Sequence, residues 1–116
     1  MGVLFRSAGR FAEAAEEFKK AIELDPEYID AYYDLGATYY NWGVDLVRQA
    51  QEKNESSPEG KEKFRTALPY IEKVIQARPK EPQLWETLGT IYAQIGETDK
   101  AAKAFEKAEK LRKGEE

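Results

Sequence analysis

The chain has 116 residues, which is the length of one domain with a modest hydrophobic core. Charged residues make up 34% of it and the formal net charge is −4, which argues against the basic surface typical of a nucleic-acid-binding protein. The sequence contains no cysteine and no histidine, so disulfides, thiolate nucleophiles and the commonest metal ligand and general base are excluded. We therefore expect a helix-rich protein without catalytic activity, metal or cofactor.

The sequence indicates neither membrane insertion nor secretion. No apolar run approaches the roughly 18 residues that a membrane-spanning helix requires. The short apolar segment Val3-Leu4-Phe5 has no cationic region ahead of it, so no signal peptide is predicted. A cytoplasmic location is the default expectation.

Residues 1–28 carry apolar side chains at helical spacing only in their second part, at Phe11, Ala14, Phe18 and Ala21. Ahead of Gly9, the apolar residues 3–5 suffice for about two turns of helix, which is marginal in water. Since no preceding helix covers these side chains in this chain, the amino end is a candidate surface for self-association.

A long helix is predicted over residues 30–53. Tyr32, Leu35 and Tyr39 lie at positions i, i+3 and i+7, which places them on one face, and Trp42, Leu46 and Ala50 continue that face. Gly36 follows Leu35 at a position where a neighbouring helix is expected to approach closely.

A second helix is predicted over residues 58–77, after a turn in residues 54–60. Ser57 is the expected N-cap and Pro58 the first-turn proline. Pro69 predicts a kink, because it removes one backbone donor and crowds the carbonyl of Arg65. The alternative is that the helix starts near Pro69 and that residues 58–67 form a loop.

The last part of the chain repeats the earlier pattern. Trp85, Leu88 and Tyr92 have the spacing of Tyr32, Leu35 and Tyr39, and Gly89 again follows the leucine. The pattern continues with Ala101, Phe105 and Ala108. Beyond these, residues 110–116 are mostly polar, which is typical of the outer face of a terminal repeat.

Two separations of 34 residues, Gly9 to Gly43 and Ala67 to Ala101, match the period of the tetratricopeptide repeat. With the motif residues of the third unit, they make the chain resemble that family. The resemblance implies an all-α fold, in which antiparallel helix-turn-helix repeats stack as a short right-handed superhelix. It divides a single domain, residues 1–116, into a partial repeat 1 (1–28), repeat 2 (29–81) and repeat 3 (82–116).

Repeat 2 is longer than the family pattern. Gly43 to Ala67 spans 24 residues where Gly96 to Ala101 spans 5, so 19 residues are added. The added sequence has helical character. We therefore predict that both helices of repeat 2 are lengthened into a projecting hairpin around residues 43–63.

The resemblance also implies a function, which is that of a non-catalytic adaptor or scaffold module that binds a protein or peptide. In the family, the first helix of each repeat lines a concave groove with the face that is not used for packing. Carried onto this sequence, the groove residues are Asp30, Tyr33, Asp34, Tyr40 and Asn41 in repeat 2, and Glu86, Thr87, Thr90 and Gln94 in repeat 3.

The best-known ligands of the family are acidic peptide tails held by cationic and amide side chains. Here Tyr33, Asp34 and Glu86 stand at such positions, so the expected partner is a basic or aromatic-containing peptide. Two alternatives stay open. In the first, Tyr33 and Tyr40 pack against the projecting hairpin or a lost neighbouring repeat. In the second, the truncated first repeat and the hairpin mediate homo-oligomerisation. Neither nucleic acid nor membrane is an expected partner.

Overall fold

The computed structural model describes the backbone of residues 3–115 and the side chains of residues 10–115. Within this range the chain forms five α-helices and no strand: α1 (Val3–Leu24), α2 (Ile29–Glu52), α3 (Pro58–Ala77), α4 (Pro82–Gln94) and α5 (Thr98–Arg112). The predicted all-α helical-repeat fold is confirmed. The long hairpin is also present, since α2 and α3 begin and end within one residue of the predicted bounds.

The helices lie side by side in chain order, each packed mainly against the next. The chain measures 47 × 39 × 20 Å and its radius of gyration is 14.9 Å, whereas a compact chain of this length has about 13 Å. The molecule is therefore a flat stack of helices. None of its described helices combines the length and the apolar content needed to cross a membrane.

The first helix differs from the expectation of a short helix ahead of Gly9. Instead, α1 continues from Val3 to Leu24 through Gly9 without a turn. A glycine inside a helix costs only about 1 kcal/mol relative to alanine.

The hairpin of α2 and α3 is lengthened because the chain does not turn at Gly43. Gly96, which occupies the corresponding position in repeat 3, has a φ of +89° and ends α4. Gly43 is instead buried inside α2, where an added Cβ would lie 3.1 Å from the Gly60 carbonyl oxygen and 3.1 Å from the Phe64 ring. Gly43 and Gly60 thus allow α2 and α3 to approach each other closely, and α2 continues to Glu52.

The hairpin turn is closed by local hydrogen bonds. Asn54 adopts a φ of 57°, and the Glu55 N–H donates to the Ala50 carbonyl at 2.8 Å, the pattern that commonly ends a helix. The predicted N-cap is confirmed, since the Ser57 hydroxyl accepts from the Gly60 N–H at 3.0 Å. Pro58 is the first residue of α3.

Pro69 lies inside α3, which runs unbroken from Pro58 to Ala77. The alternative start near Pro69, with a loop over residues 58–67, is therefore wrong. The predicted kink at this residue stays a prediction. Buried Phe64 and Ala67 precede it and buried Ile71 follows it, so apolar packing holds the helix on both sides of the proline.

The repeat glycines permit close contact between the two helices of each repeat, as predicted. A Cβ at Gly36 would lie 2.7 Å from Cδ1 of Ile71, and one at Gly89 would lie 2.8 Å from the Phe105 ring. The two contacting side chains differ in their exposure to solvent. Ile71 is 1% exposed, whereas Phe105, at the outer end of the stack, is 41% exposed.

Candidate functional site

The exposed face of α2 begins with Asp30 and Tyr33, one turn apart. Tyr33 is 42% exposed. Asp30 accepts a hydrogen bond from Nη2 of Arg78 at 2.5 Å, and Arg78 caps the carboxyl end of α3. The bond to Asp30 raises the pKa of Arg78, with a smaller effect from Tyr33. Asp30 and Tyr33, which the sequence predicted as site residues, therefore lie beside Arg78, which it did not.

Asp34 lies half-buried, one residue after Tyr33. Burial raises the pKa of its carboxyl group, and the charge of Asp30 adds to this shift. Among the residues whose side chains are described, none forms a hydrogen bond or ion pair with the Asp34 carboxylate. Its backbone carbonyl accepts from the Thr38 hydroxyl at 2.7 Å. Asp34 is thus a partly desolvated acid without a cationic partner in this part of the structure.

Tyr40 and Asn41 occupy different environments. Tyr40 is half-buried, and its ring meets the Phe64 ring edge-on, with 5.7 Å between centroids and an interplanar angle of 72°. Tyr40 therefore fits the alternative in which it packs against the hairpin, since its ring contacts Phe64 of α3. Asn41 is exposed, and Tyr33 has no such ring contact among the described aromatic pairs.

The predicted face of α4 is also partly occupied by contacts within the chain. Glu86 forms an ion pair with Nη2 of Arg112 at 2.5 Å, and the Thr87 hydroxyl donates to the Gln83 carbonyl at 3.1 Å. Thr90 and Gln94 are half-buried. Among the described side chains, no hydrogen bond or ion pair joins the predicted groove residues of α2 with those of α4.

Sequence reasoning missed the two arginines. Arg78 and Arg112 are 34 residues apart, which is the repeat period, and each ends the second helix of its repeat or caps it. That spacing is the signal that was available. The arginines pair with Asp30 and Glu86, so the groove carries less unpaired negative charge than its sequence indicated.

The residues that motivated self-association are Val3, Leu4 and Phe5. They belong to α1, but their side chains lie outside the described residues. The projecting hairpin is described in full. On it, Val44 is 42% exposed.

The stacked helical hairpins and the polar face along their first helices define a helical-repeat protein of the kind that binds other proteins. Two family models match the chain, one described as TPR repeat over residues 2–43 and one described as tetratricopeptide repeat over residues 59–116. The chain belongs to the tetratricopeptide repeat family. The interval between the two matches, residues 44–58, contains the end of α2 and the turn of the lengthened hairpin.

Curated relatives share the repeat over nearly all of this chain. The human mitochondrial import receptor subunit TOM70 is 31% identical over 106 residues, which are 91% of this chain and 14% of that protein. Rat TOM70 is 30% identical over the same shares. Superkiller protein 3 of Schizosaccharomyces pombe is 26% identical over 130 residues, 93% of this chain and 9% of that protein. The chain thus spans about a seventh or less of these relatives.

Proposed function

We propose that the chain is a non-catalytic peptide-binding module, and that the face of α2 around Asp34 and Tyr33 receives a lysine or arginine of the bound peptide. The supporting observation is the Asp34 carboxylate, which is half-buried and has no cationic partner among the described side chains. The family supports protein binding in general, and the choice of residues and of a basic peptide is the proposal.

Desolvation makes this carboxylate receptive to a cation. An acid that is partly removed from water loses hydration without compensation, and a charged hydrogen bond restores about 1.5–3 kcal/mol of interaction. The neighbouring Tyr33 ring is exposed. A cation that lies over it gains a further 0.5–2 kcal/mol, on the order of one hydrogen bond.

The arginine at the end of α3 sharpens the expected position of the ligand cation. Arg78 already neutralises Asp30, so an incoming lysine is attracted less strongly there than to Asp34. In repeat 3, Arg112 neutralises Glu86 in the same way. The α4 face therefore offers hydroxyl and amide groups, from Thr90 and Gln94, for the polar backbone of the peptide.

The test is a binding titration with a capped peptide that alternates lysine and an aromatic residue. A counterpart with glutamate in place of lysine controls for charge. Asp34→Asn is expected to weaken binding about tenfold, which corresponds to roughly 1.4 kcal/mol. Gln51→Ala, an exposed position on the same helix outside the predicted groove residues, is the matched control and should bind as the wild type does. Equal affinity of the wild type, Asp34→Asn and Tyr33→Ala would remove this face from consideration.

Self-association through the first repeat and the hairpin is the alternative that accompanies this proposal. Val44 is the exposed apolar side chain that supports it on the hairpin. Light scattering at about 100 μM, a concentration at which a micromolar dimer is populated, distinguishes the two. A strict monomer there rules out the alternative, whereas a dimer that Val44→Glu dissociates supports it.

A further inference from the structure

Repeats 2 and 3 correspond residue by residue on their outer side, the side of α4 that faces away from the proposed groove. In each repeat a lysine of the second helix lies over a ring of the first. The Lys73 Nζ is 5.5 Å from the Tyr32 ring centroid, and the Lys107 Nζ is 5.8 Å from that of Trp85. The correspondence therefore holds in space as well as in sequence.

In repeat 2, an aromatic side chain fills the space between the two ring positions that repeats 2 and 3 share. Tyr70 projects from α3, and its ring centroid is 6.2 Å from that of Tyr39 and 6.5 Å from that of Tyr32. The rings of Tyr70 and Tyr39 are nearly parallel, with an interplanar angle of 11°. Such offset stacking contributes favourable energy beyond the burial of area.

In repeat 3, the residue that corresponds to Tyr70 is Ala104, 34 positions later. A cavity of about 310 Å³ lies there, open to solvent and lined by Trp85, Leu88, Tyr92, Lys100, Lys103 and Ala104. The ring positions are kept as Trp85 and Tyr92. The space that the aromatic side chain occupies in repeat 2 is thus available to another molecule in repeat 3.

Two lysines at the rim of this cavity correspond to uncharged residues in repeat 2, and one carboxylate lies beside it, since Glu72 accepts a hydrogen bond from the Tyr92 hydroxyl at 3.1 Å. Lys100 and Lys103 stand where repeat 2 has Thr66 and Pro69, and both lysines are exposed. The Lys100 Nζ lies 5.7 Å from the Tyr92 ring centroid. An occupant with a negative charge beside its ring is therefore favoured over one with a positive charge.

We propose that this cavity is a second binding site, which receives an aromatic side chain of a partner protein flanked by acidic residues. The ring would occupy the place of Tyr70, between Trp85 and Tyr92, and the flanking carboxylates would meet Lys100 and Lys103. The site lies on the opposite side of α4 from Thr90 and Gln94, because positions 85 and 92 are about half a turn from positions 90 and 94. It takes a ligand of opposite charge to that of the groove.

The experiment follows the two indole N–H signals of the chain by NMR. Trp85 lines the cavity, and its N–H donates to the Pro79 carbonyl at 2.8 Å, while Trp42 lies in α2 and serves as the internal control. The probe is the capped tripeptide Glu-Phe-Glu, titrated to about 5 mM, the range in which a weak single-residue contact is detected. The Trp85 signal is expected to shift and the Trp42 signal to stay.

Two further peptides separate the contributions. Glu-Leu-Glu lacks the ring and Lys-Phe-Lys reverses the charge, and each is expected to bind more weakly than Glu-Phe-Glu. Equal shifts with all three peptides, or an unmoved Trp85 signal, would overturn the proposal. So would two other results: a Trp85 shift with protein concentration alone, which identifies a second copy as the occupant, and binding of N-acetylphenylalanine as tight as that of the peptide.

Variants locate the site. Ala104→Tyr supplies the missing ring from within the chain, as repeat 2 does, and is expected to abolish the shift while leaving binding at the Asp34 face unchanged. If that variant does not fold by circular dichroism, Lys103→Glu replaces it, with an expected weakening of about threefold. Lys110→Glu, on the same helix but outside the cavity lining, is the matched control. Retained binding by both Ala104→Tyr and Lys103→Glu would refute the site.

Discussion

The same substitution at two equivalent glycines should have different effects on stability. In a helix, glycine to alanine gains about 0.5–1 kcal/mol from backbone entropy. At Gly36, however, the new Cβ would lie 2.7 Å from Cδ1 and 3.1 Å from Cγ1 of Ile71. Ile71 is 1% exposed, so its side chain has no room to move, and overpacking of this kind costs about 1–3 kcal/mol. Gly36→Ala should therefore lose about 1–2 kcal/mol of unfolding free energy.

At Gly89 the clash occurs at a similar distance, but the contacting side chain is free to move away. The new Cβ would lie 2.8–2.9 Å from three ring atoms of Phe105. Because Phe105 is 41% exposed, its ring can rotate toward solvent and relieve the contact. The entropy gain and the lost packing then nearly cancel, and Gly89→Ala should stay within about 0.5 kcal/mol of the wild type.

Thermal unfolding followed by circular dichroism measures the difference. A loss of 1 kcal/mol lowers Tm by roughly 4–8 °C in a domain of this size. The Tm of Gly36→Ala should therefore fall at least that far below the wild-type Tm, while that of Gly89→Ala should stay within about 4 °C of it. The reasoning is refuted if the two variants unfold together. Equal losses would mean that Phe105 is as confined as Ile71, and an unchanged Gly36→Ala would mean that the α2–α3 contact is loose.

Three further changes test other parts of the structure. Ser57→Ala removes the N-cap of α3 and should cost about 1 kcal/mol in urea unfolding, whereas Ser56→Ala, exposed and outside the cap, should cost none; equal effects would contradict the capping role. Gly96→Ala places a Cβ at a φ of +89° with no atom nearby, so a loss of about 1 kcal/mol or more from backbone strain alone is expected in the same assay, and a gain in stability would show that the turn relaxes. Burial raises the pKa of Asp34 in the folded chain, so the folded state binds the proton more tightly than the unfolded state, and the carboxylate lowers stability as pH rises through this range. Asp34→Asn should then raise the unfolding free energy at pH 7 and have no such effect below a pH of about 3, while it weakens binding of the lysine peptide; a variant that is less stable at pH 7 would contradict the assigned environment.

The helical framework was accessible from sequence because its determinants are local. Ser57 and Pro58 mark the start of α3 through contacts within four residues. Likewise, the i, i+3, i+7 spacing of apolar residues is a property of one helix. The exception is Gly9. Its motif position predicted the end of a short helix, but a turn also requires a helix on which to fold back, and that information is not local.

The candidate site was less predictable because its charges are set by contacts between distant residues. Arg78 reaches Asp30 across 48 residues of sequence, and this pairing changes which carboxylate of the face is available. Tyr40 was placed off the packing face by helical spacing. It is half-buried nevertheless, because the lengthened α3 brings Phe64 against the edge of its ring.

The positions of the ion pairs show how recognition can change while the fold is kept. Repeats 2 and 3 each have one arginine at the end of the second helix and one carboxylate that pairs with it on the first helix. In repeat 2 that carboxylate is Asp30, and in repeat 3 it is Glu86, which corresponds to a position one turn further along the helix. The arginine thus needs a carboxylate within reach, and positions one turn apart on the first helix can supply it. Asp34 is additional to this requirement, and its counterpart in repeat 3 is a threonine whose hydroxyl is bonded within its own helix. The fold accepts a threonine at that position in repeat 3, which supports the proposal that the Asp34 carboxylate serves ligand binding rather than stability.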